Sequence, residues 1–151
     1  MNLIIYHSSL ITHHSSLILM LNLEIVTPEK KVLSETVDSV TIPTASGEVG
    51  ILTNHVPLIS SLKAGVLAYT KSGATERMVI AGGFVEVSQN NVSILADVAE
   101  TADEIDVETA RAERDSLEKE LSAWKGSLEE SESERERLEK AQAQLALVSG
   151  R

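Results

Sequence analysis

Four side chains in the stretch SGEVGILTNHVPLISSLKAG, residues 46–65, are of types that do chemistry: Glu48, His55, Ser60 and Ser61. Arranged as a relay, His55 would be the base, Ser60 or Ser61 the nucleophile, and Glu48 the acid that orients the imidazole. The spacing argues against it. Hydroxyls this close to His55 along one loop-strand unit need a sharp chain reversal to meet the ring, and the GxSxG elbow that supplies one is missing from the chain. The plainer reading of His55 is a ring that hydrogen-bonds within the TNHVP turn, with Pro57 fixing the backbone. Gly82 and Gly83 fare no better as a phosphate cradle. They lie between strand patterns, whereas a phosphate loop feeds a helix N-terminus, so they suggest a bulge or tight bend. His7, His13 and His14 make a His-rich tract with no acidic or thiol ligand beside it, and no metal centre or other cofactor is expected.

Composition removes further classes. The formal net charge of −10 repels phosphate backbones and anionic lipid, so nucleic acid is not an expected partner. Aromatic residues are only 3% of the chain, which leaves the core to Val, Ile, Leu and Ala. The absence of cysteine excludes disulfides, thiolate nucleophiles and thiolate metal sites. Residues 1–19 carry no charge and repeat HSSLI at a spacing of seven. They fit neither a secretory signal, which needs a basic front end, nor a membrane span, which needs about 20 mostly apolar residues. This segment reads as a non-native or disordered extension, with translation beginning at Met20.

The elements that must position these side chains are strands. LNLEIVT alternates Leu21, Leu23 and Ile25 with polar neighbours, and DSVTIPT alternates Val40 and Ile42 about Thr41, the period of a half-buried strand. GVLAYTK and ERMVIAGG flank Ser72 and Gly73, while FVEVS and NVSILAD flank the turn residues 89–91, as hairpins demand. Strands this closely spaced leave no room for crossover helices and predict an antiparallel sandwich or barrel between about Leu21 and Asp97, within a β domain of residues 20–103.

Beyond Asp97 the composition becomes helical, and residues 104–151 read as an arm. Asp106 is placed to cap a first helix whose stripe is Leu117, Leu121 and Trp124, and Gly126 is placed to end it. Ser127 and Glu130 have capping-box spacing before a second stripe of Leu138, Ala141, Leu145 and Val148. An antiparallel helical hairpin follows, with one long solvated helix as its rival, since a single glycine weakens a helix by only about 1 kcal/mol.

The motifs SVTIPTASGEVGILTNHVPLISSLKAG, AGGFVEV and VSILADVAETADEID occur in that order, the last leading into the two-helix tail. Over Met20 to about Val148 they resemble the epsilon subunit of bacterial F-type ATP synthase. The resemblance implies an α+β fold: an antiparallel β sandwich of about ten strands followed by a carboxy-terminal helical hairpin. It implies a non-catalytic rotor subunit of the central stalk, peripheral on the cytoplasmic face of the bacterial plasma membrane. Its partners would be the gamma subunit, the ring of c subunits and, through the arm, the catalytic beta subunit. Glu48, flanked by Gly47 and Gly50, then falls at the position that meets the rotor ring, with His55 and Pro57 shaping the loop behind it. Without the resemblance, Glu48 is a solvated turn residue. Thr53 and Asn54 stand where the family usually has Pro-Gly before the histidine.

The same resemblance bears on the arm. Nucleotide-sensing relatives carry an [IL]DxxRA motif, of which Ile105 and Asp106 are the remnant here; Thr109 takes the arginine position. Arg111 lies two residues on, about 200° around the helix. Lys140 and Gln144 take the basic positions of the second helix, so nucleotide binding is not expected. The arm carries twelve acidic and eight basic residues from Asp106 to Arg151, and Arg135, Arg137 and Lys140 are the candidates for an inhibitory contact. The alternative to the stalk reading is a soluble adaptor that binds a protein partner through its acidic arm.

Overall fold

The computed structural model describes residues 20–150. The readings placed on 1–19, including the His7, His13 and His14 tract, lie outside the described residues. Ten strands form two five-stranded sheets among them. The first sheet has the order β2 (Lys31–Val37), β1 (Leu21–Val26), β9 (Asn91–Leu95), β8 (Phe84–Ser88), β5 (Leu58–Ser61). The second runs β10 (Val98–Glu100), β7 (Ala74–Ala81), β6 (Gly65–Lys71), β3 (Ser39–Thr44), β4 (Gly47–Ile51).

Period-two alternation builds the core between them. Leu21, Leu23 and Ile25 of β1 and Val40 and Ile42 of β3 are buried, and they pack with Leu67, Val85, Val87, Val92 and Ile94 from both sheets. Each such side chain removed from water contributes about 1.5–3 kcal/mol. The two-residue turns are where residue type places them. Ser72 and Gly73 hold φ of +51° and +81°, and Gln89 and Asn90 hold +50° and +61°, the left-handed pair that matches the twist of a tight hairpin. Gly82 and Gly83 form the tight bend from β7 into β8: a Cβ on Gly83 would lie 1.8 Å from the Leu95 carbonyl oxygen, so no side chain fits. One pairing is not antiparallel. β1 lies parallel to β9, from Asn22 opposite Asn91 to Val26 opposite Leu95, because these strands are far apart in sequence and no hairpin constrains their direction.

The carboxy-terminal arm is a pair of helices, α1 (Val107–Ser122) and α2 (Glu132–Ser149), and not one long helix. Asp106 caps α1 by accepting from the Thr109 amide at 3.0 Å. The break comes earlier than the glycine suggests. α1 stops at Ser122, with the Ala123 amide donating to the carbonyls of Glu120 and Leu121, and Gly126 lies in the linker beneath Trp124 and Glu130, whose side chains crowd its Cβ position. Trp124 is therefore outside the helix and outside the Leu117 stripe; its indole N–H donates to the Ser127 carbonyl at 3.1 Å. Ser127 and Glu130 do form a reciprocal capping box, at 3.0 and 3.3 Å, but it introduces a short 3-10 turn and α2 begins only at Glu132.

α2 docks against β6 and β7 of the second sheet. Its sheet-facing row is Ala143, Gln144 and Leu147, which with Val79 and Ile105 forms a small second cluster. Of the stripe expected on α2, Ala141 is buried while Leu138, Leu145 and Val148 are half-buried. Among the described residues the arm packs on the outer face of the second sheet, at β6 and β7, and not on that of the first.

Candidate functional site

Glu48 lies in a strand, not a loop. It is the second residue of β4, the outer strand of the second sheet, and pairs with Pro43 across the β3–β4 hairpin. The turn at Ala45 and Ser46 is closed by the Thr44 hydroxyl, which donates to the Gly47 carbonyl at 2.7 Å, and is tied to β5 by the Ala45 amide donating to the Ser61 carbonyl at 3.0 Å. Gly47, Glu48 and Gly50 are exposed, and open space surrounds the Cβ position of both glycines. The carboxylate thus projects from a braced hairpin with no bulky neighbour in the strand to shield it.

His55 and Pro57 belong to the β4–β5 loop. The His55 amide donates to the Leu52 carbonyl at 3.2 Å, closing a turn in which Asn54 has φ of +61°. The ring turns back on its own loop: Nδ1 lies 2.7 Å from the Val56 carbonyl oxygen, a contact that requires Nδ1 to carry the proton. Ser60 donates to the Ser61 carbonyl at 3.2 Å. Ring and hydroxyl are each engaged locally, so the geometry assembles no relay among Glu48, His55 and these serines. Pro57 is exposed.

An apolar surface lies beside this loop. On the outer face of the first sheet Phe84, 61% exposed, stands opposite Leu95, 59% exposed, and Leu95 stands opposite Val26. Ile59 of β5 pairs with the outward-facing Glu86 and so shares that face. Leu52 and Val56 in the β4–β5 loop are also exposed. Alternation in strand patterns marks which face is polar, but these positions read as ordinary strand residues until the pairing puts them side by side.

The arm residues singled out by sequence divide between structural roles. Ile105 is buried in the cluster that joins the arm to the sheet. Asp106 is the α1 cap, and its N–H bond from Thr109 holds its carboxyl below the usual carboxylate range. Arg111 reaches back to Glu108 at 3.1 Å. Arg137 crosses to Glu113 of α1, at 2.9 and 3.0 Å, while Arg135 donates to the Ser131 hydroxyl at 3.0 Å. Arg135, Arg137 and Lys140 all line a cleft of about 600 Å³ between α2 and the end of the sandwich, with Lys63, Asp97 and Glu136. Residue type does not mark the side chains that join the arm to the sandwich, among them Lys63, paired with Glu139 at 3.0 Å, and Glu100, which accepts from Gln144 at 2.6 Å.

Residues 20–102 match the family model described as ATP synthase, Delta/Epsilon chain, beta-sandwich domain. The chain is 47% identical over 104 residues to the ATP synthase epsilon chain of Desulfitobacterium hafniense, covering 69% of this chain and 79% of that one. It is 44% identical over 127 residues to the ATP synthase epsilon chain of Nitratidesulfovibrio vulgaris, covering 84% and 87%. Among solved structures, a chain of the Euglena gracilis mitochondrial ATP synthase with OSCP, F1 and the c-ring superposes with a TM-score of 0.73 at 24% identity, covering 85% of this chain and 81% of that one. A chain of the Tetrahymena thermophila mitochondrial ATP synthase central stalk and c-ring gives 0.59 at 18% identity, covering 85% and 96%. The structural likeness speaks to the fold alone.

Proposed function

Because this chain belongs to the ATP synthase epsilon-chain family, we propose that it couples the gamma subunit to the c ring and regulates ATP hydrolysis through its helical arm. It is a non-catalytic accessory subunit of the rotary ATP synthase. Residues 20–103 are the stalk-binding domain and 104–151 the regulatory arm. Among the described residues no helix is long and apolar enough to cross a membrane, and the chain joins the cytoplasmic face of the bacterial plasma membrane as a peripheral part of the complex.

The observation that carries the gamma contact is the uncovered apolar face of the first sheet. Phe84, Leu95 and Ile59 stand exposed on one sheet face, and apolar surface grouped in this way marks protein interfaces. The braced β3–β4 hairpin then offers Glu48 to Arg and backbone N–H donors on the ring loops. The arm meets the catalytic beta subunit with Arg135, Arg137 and Lys140; in the docked arm Arg137 is held by Glu113 and must exchange that partner. Co-purification tests the reading: the wild-type chain brings down gamma and the c ring, and Phe84→Asp loses gamma while remaining folded. Retention of gamma by Phe84→Asp overturns the assignment of this face.

A further inference from the structure

The arm meets the sandwich over a small apolar area, made by Val79 with Ile105, Ala143 and Leu147 and flanked by Val66, Ala102 and Val148. The two alanines bring little surface to it. In the same row of α2, Gln144 is only 8% exposed, and its Nε2 donates to Glu100 Oε2 at 2.6 Å. Glu100 ends β10 and is the register partner of Val79, so the acceptor stands beside the residue at the centre of the apolar cluster. We propose that Glu100 and Gln144 form a side-chain lock, complete without a ligand, that sets how firmly the arm is held to the sandwich.

The physical basis is an asymmetry. When the arm lifts away, both groups return to water, so the intact pair shifts the docked balance only modestly. Removing Glu100 leaves Gln144 buried and without that acceptor in the docked state alone. The remaining polar ties are weaker levers: Lys63–Glu139 at 3.0 Å and Lys30–Glu104 at 3.7 Å are both well exposed to solvent and contribute little each. A Glu–Gln pair also has direction. The amide donates and the carboxylate accepts, so exchanging the two residues preserves the bond, whereas Glu100→Ala removes the acceptor and Gln144→Glu removes the donor.

The lock is internal to the chain, so its test needs no other subunit, and its outcome is separate from whether gamma and the c ring are the partners. The chain has no cysteine and one tryptophan, Trp124, near the tip of the arm. With Ser46→Cys in the β3–β4 turn carrying an acceptor dye, energy transfer from Trp124 in the full-length protein reports where the arm lies. Glu100→Ala removes the acceptor, and Gln144→Glu sets two carboxylates against each other. Each is expected to raise the undocked fraction on the order of tenfold. The exchanged pair, Glu100→Gln with Gln144→Glu, restores the wild-type transfer. Single substitutions that leave the transfer unchanged, or an exchanged pair no better docked than Gln144→Glu alone, overturn the lock.

Discussion

The backbone amide of Asn54 donates to the side-chain oxygen of Asn90 at 2.6 Å, joining the β4–β5 loop to the β8–β9 turn. Both asparagines hold φ of +61°, a conformation Asn tolerates better than most residues. The Asn90 carbonyl also accepts from the Asn22 amide at 2.8 Å. One residue therefore gathers a loop, a turn and the first strand, and the loop is held by a distant side chain.

Substituting glycine at Asn90 keeps the left-handed backbone and removes the acceptor. Asn90→Gly is expected to destabilise the protein to urea by about 1 kcal/mol. It should also speed hydrogen exchange at the Asn54 amide while the core amides of β1 and β9 stay protected. Exchange at Asn54 as slow as in the wild type would show that the loop holds without the tie.

Glu48 separates stability from assembly. Its side chain is exposed on an outer strand, where a charge reversal changes stability by no more than about 0.5 kcal/mol. Glu48→Lys is expected to leave the melting curve in place and to weaken attachment to the c ring, since it sets like charges together against any arginine on the ring loops. Glu48→Ala should show a smaller loss. Proton-coupled synthesis undiminished in both variants would remove this residue from the contact.

What residue types reveal is unequal across the molecule. The strands are readable because one face of each is wet and the other dry, so Leu21, Leu23 and Ile25 announce both the strand and its inward face. The tight turns are readable because few residues accept positive φ. The docking of α2 is not readable, because a glutamine sits in the middle of its sheet-facing row and turns an apolar stripe into a mixed one. Glu100 is invisible for the same reason: a strand-end glutamate reads as solvated, and only the fold brings it within reach of Gln144. The parallel pairing of β1 with β9 escapes local reading because neither strand's pattern encodes the direction of its neighbour.

Acid should loosen the start of the arm before it unfolds the sandwich. Glu104 and Asp106 are both held below their usual pKa values, Glu104 first by the Thr101 amide and Asp106 first by the Thr109 amide. A carboxyl depressed in the native state leaves the unfolded state binding more protons as pH falls. Its contribution is thus fully present above the ordinary carboxylate range and is lost as pH falls through the depressed values. Amide chemical shifts of Thr101 and Thr109 followed from neutral pH downward should remain constant to the carboxylate range and then move together. Glu104→Gln should abolish the Thr101 response and leave that of Thr109. Shifts that move near neutral pH would contradict this assignment.

The arm is expected to bind MgATP poorly, because the groups that a nucleotide would recruit are already engaged with one another. Asp106 is occupied as the α1 cap, and Thr109, which supplies the capped amide, has no cationic side chain. Arg111 is turned to Glu108. Gln144 donates to Glu100, which adds a carboxylate where a triphosphate would bring further negative charge. Of the second-helix positions that the resemblance assigns to a nucleotide, only Lys140, four residues before Gln144, carries a cation, where a triphosphate calls for several. Calorimetric titration of the full-length protein with MgATP should therefore show no binding in the micromolar range, and the nucleotide should leave energy transfer from Trp124 to a Ser46→Cys dye unaltered. Restoring charge with Thr109→Arg and Gln144→Arg together should create measurable affinity if the deficit is electrostatic. Tight binding by the unaltered chain would show that the lock between Glu100 and Gln144 yields to the ligand.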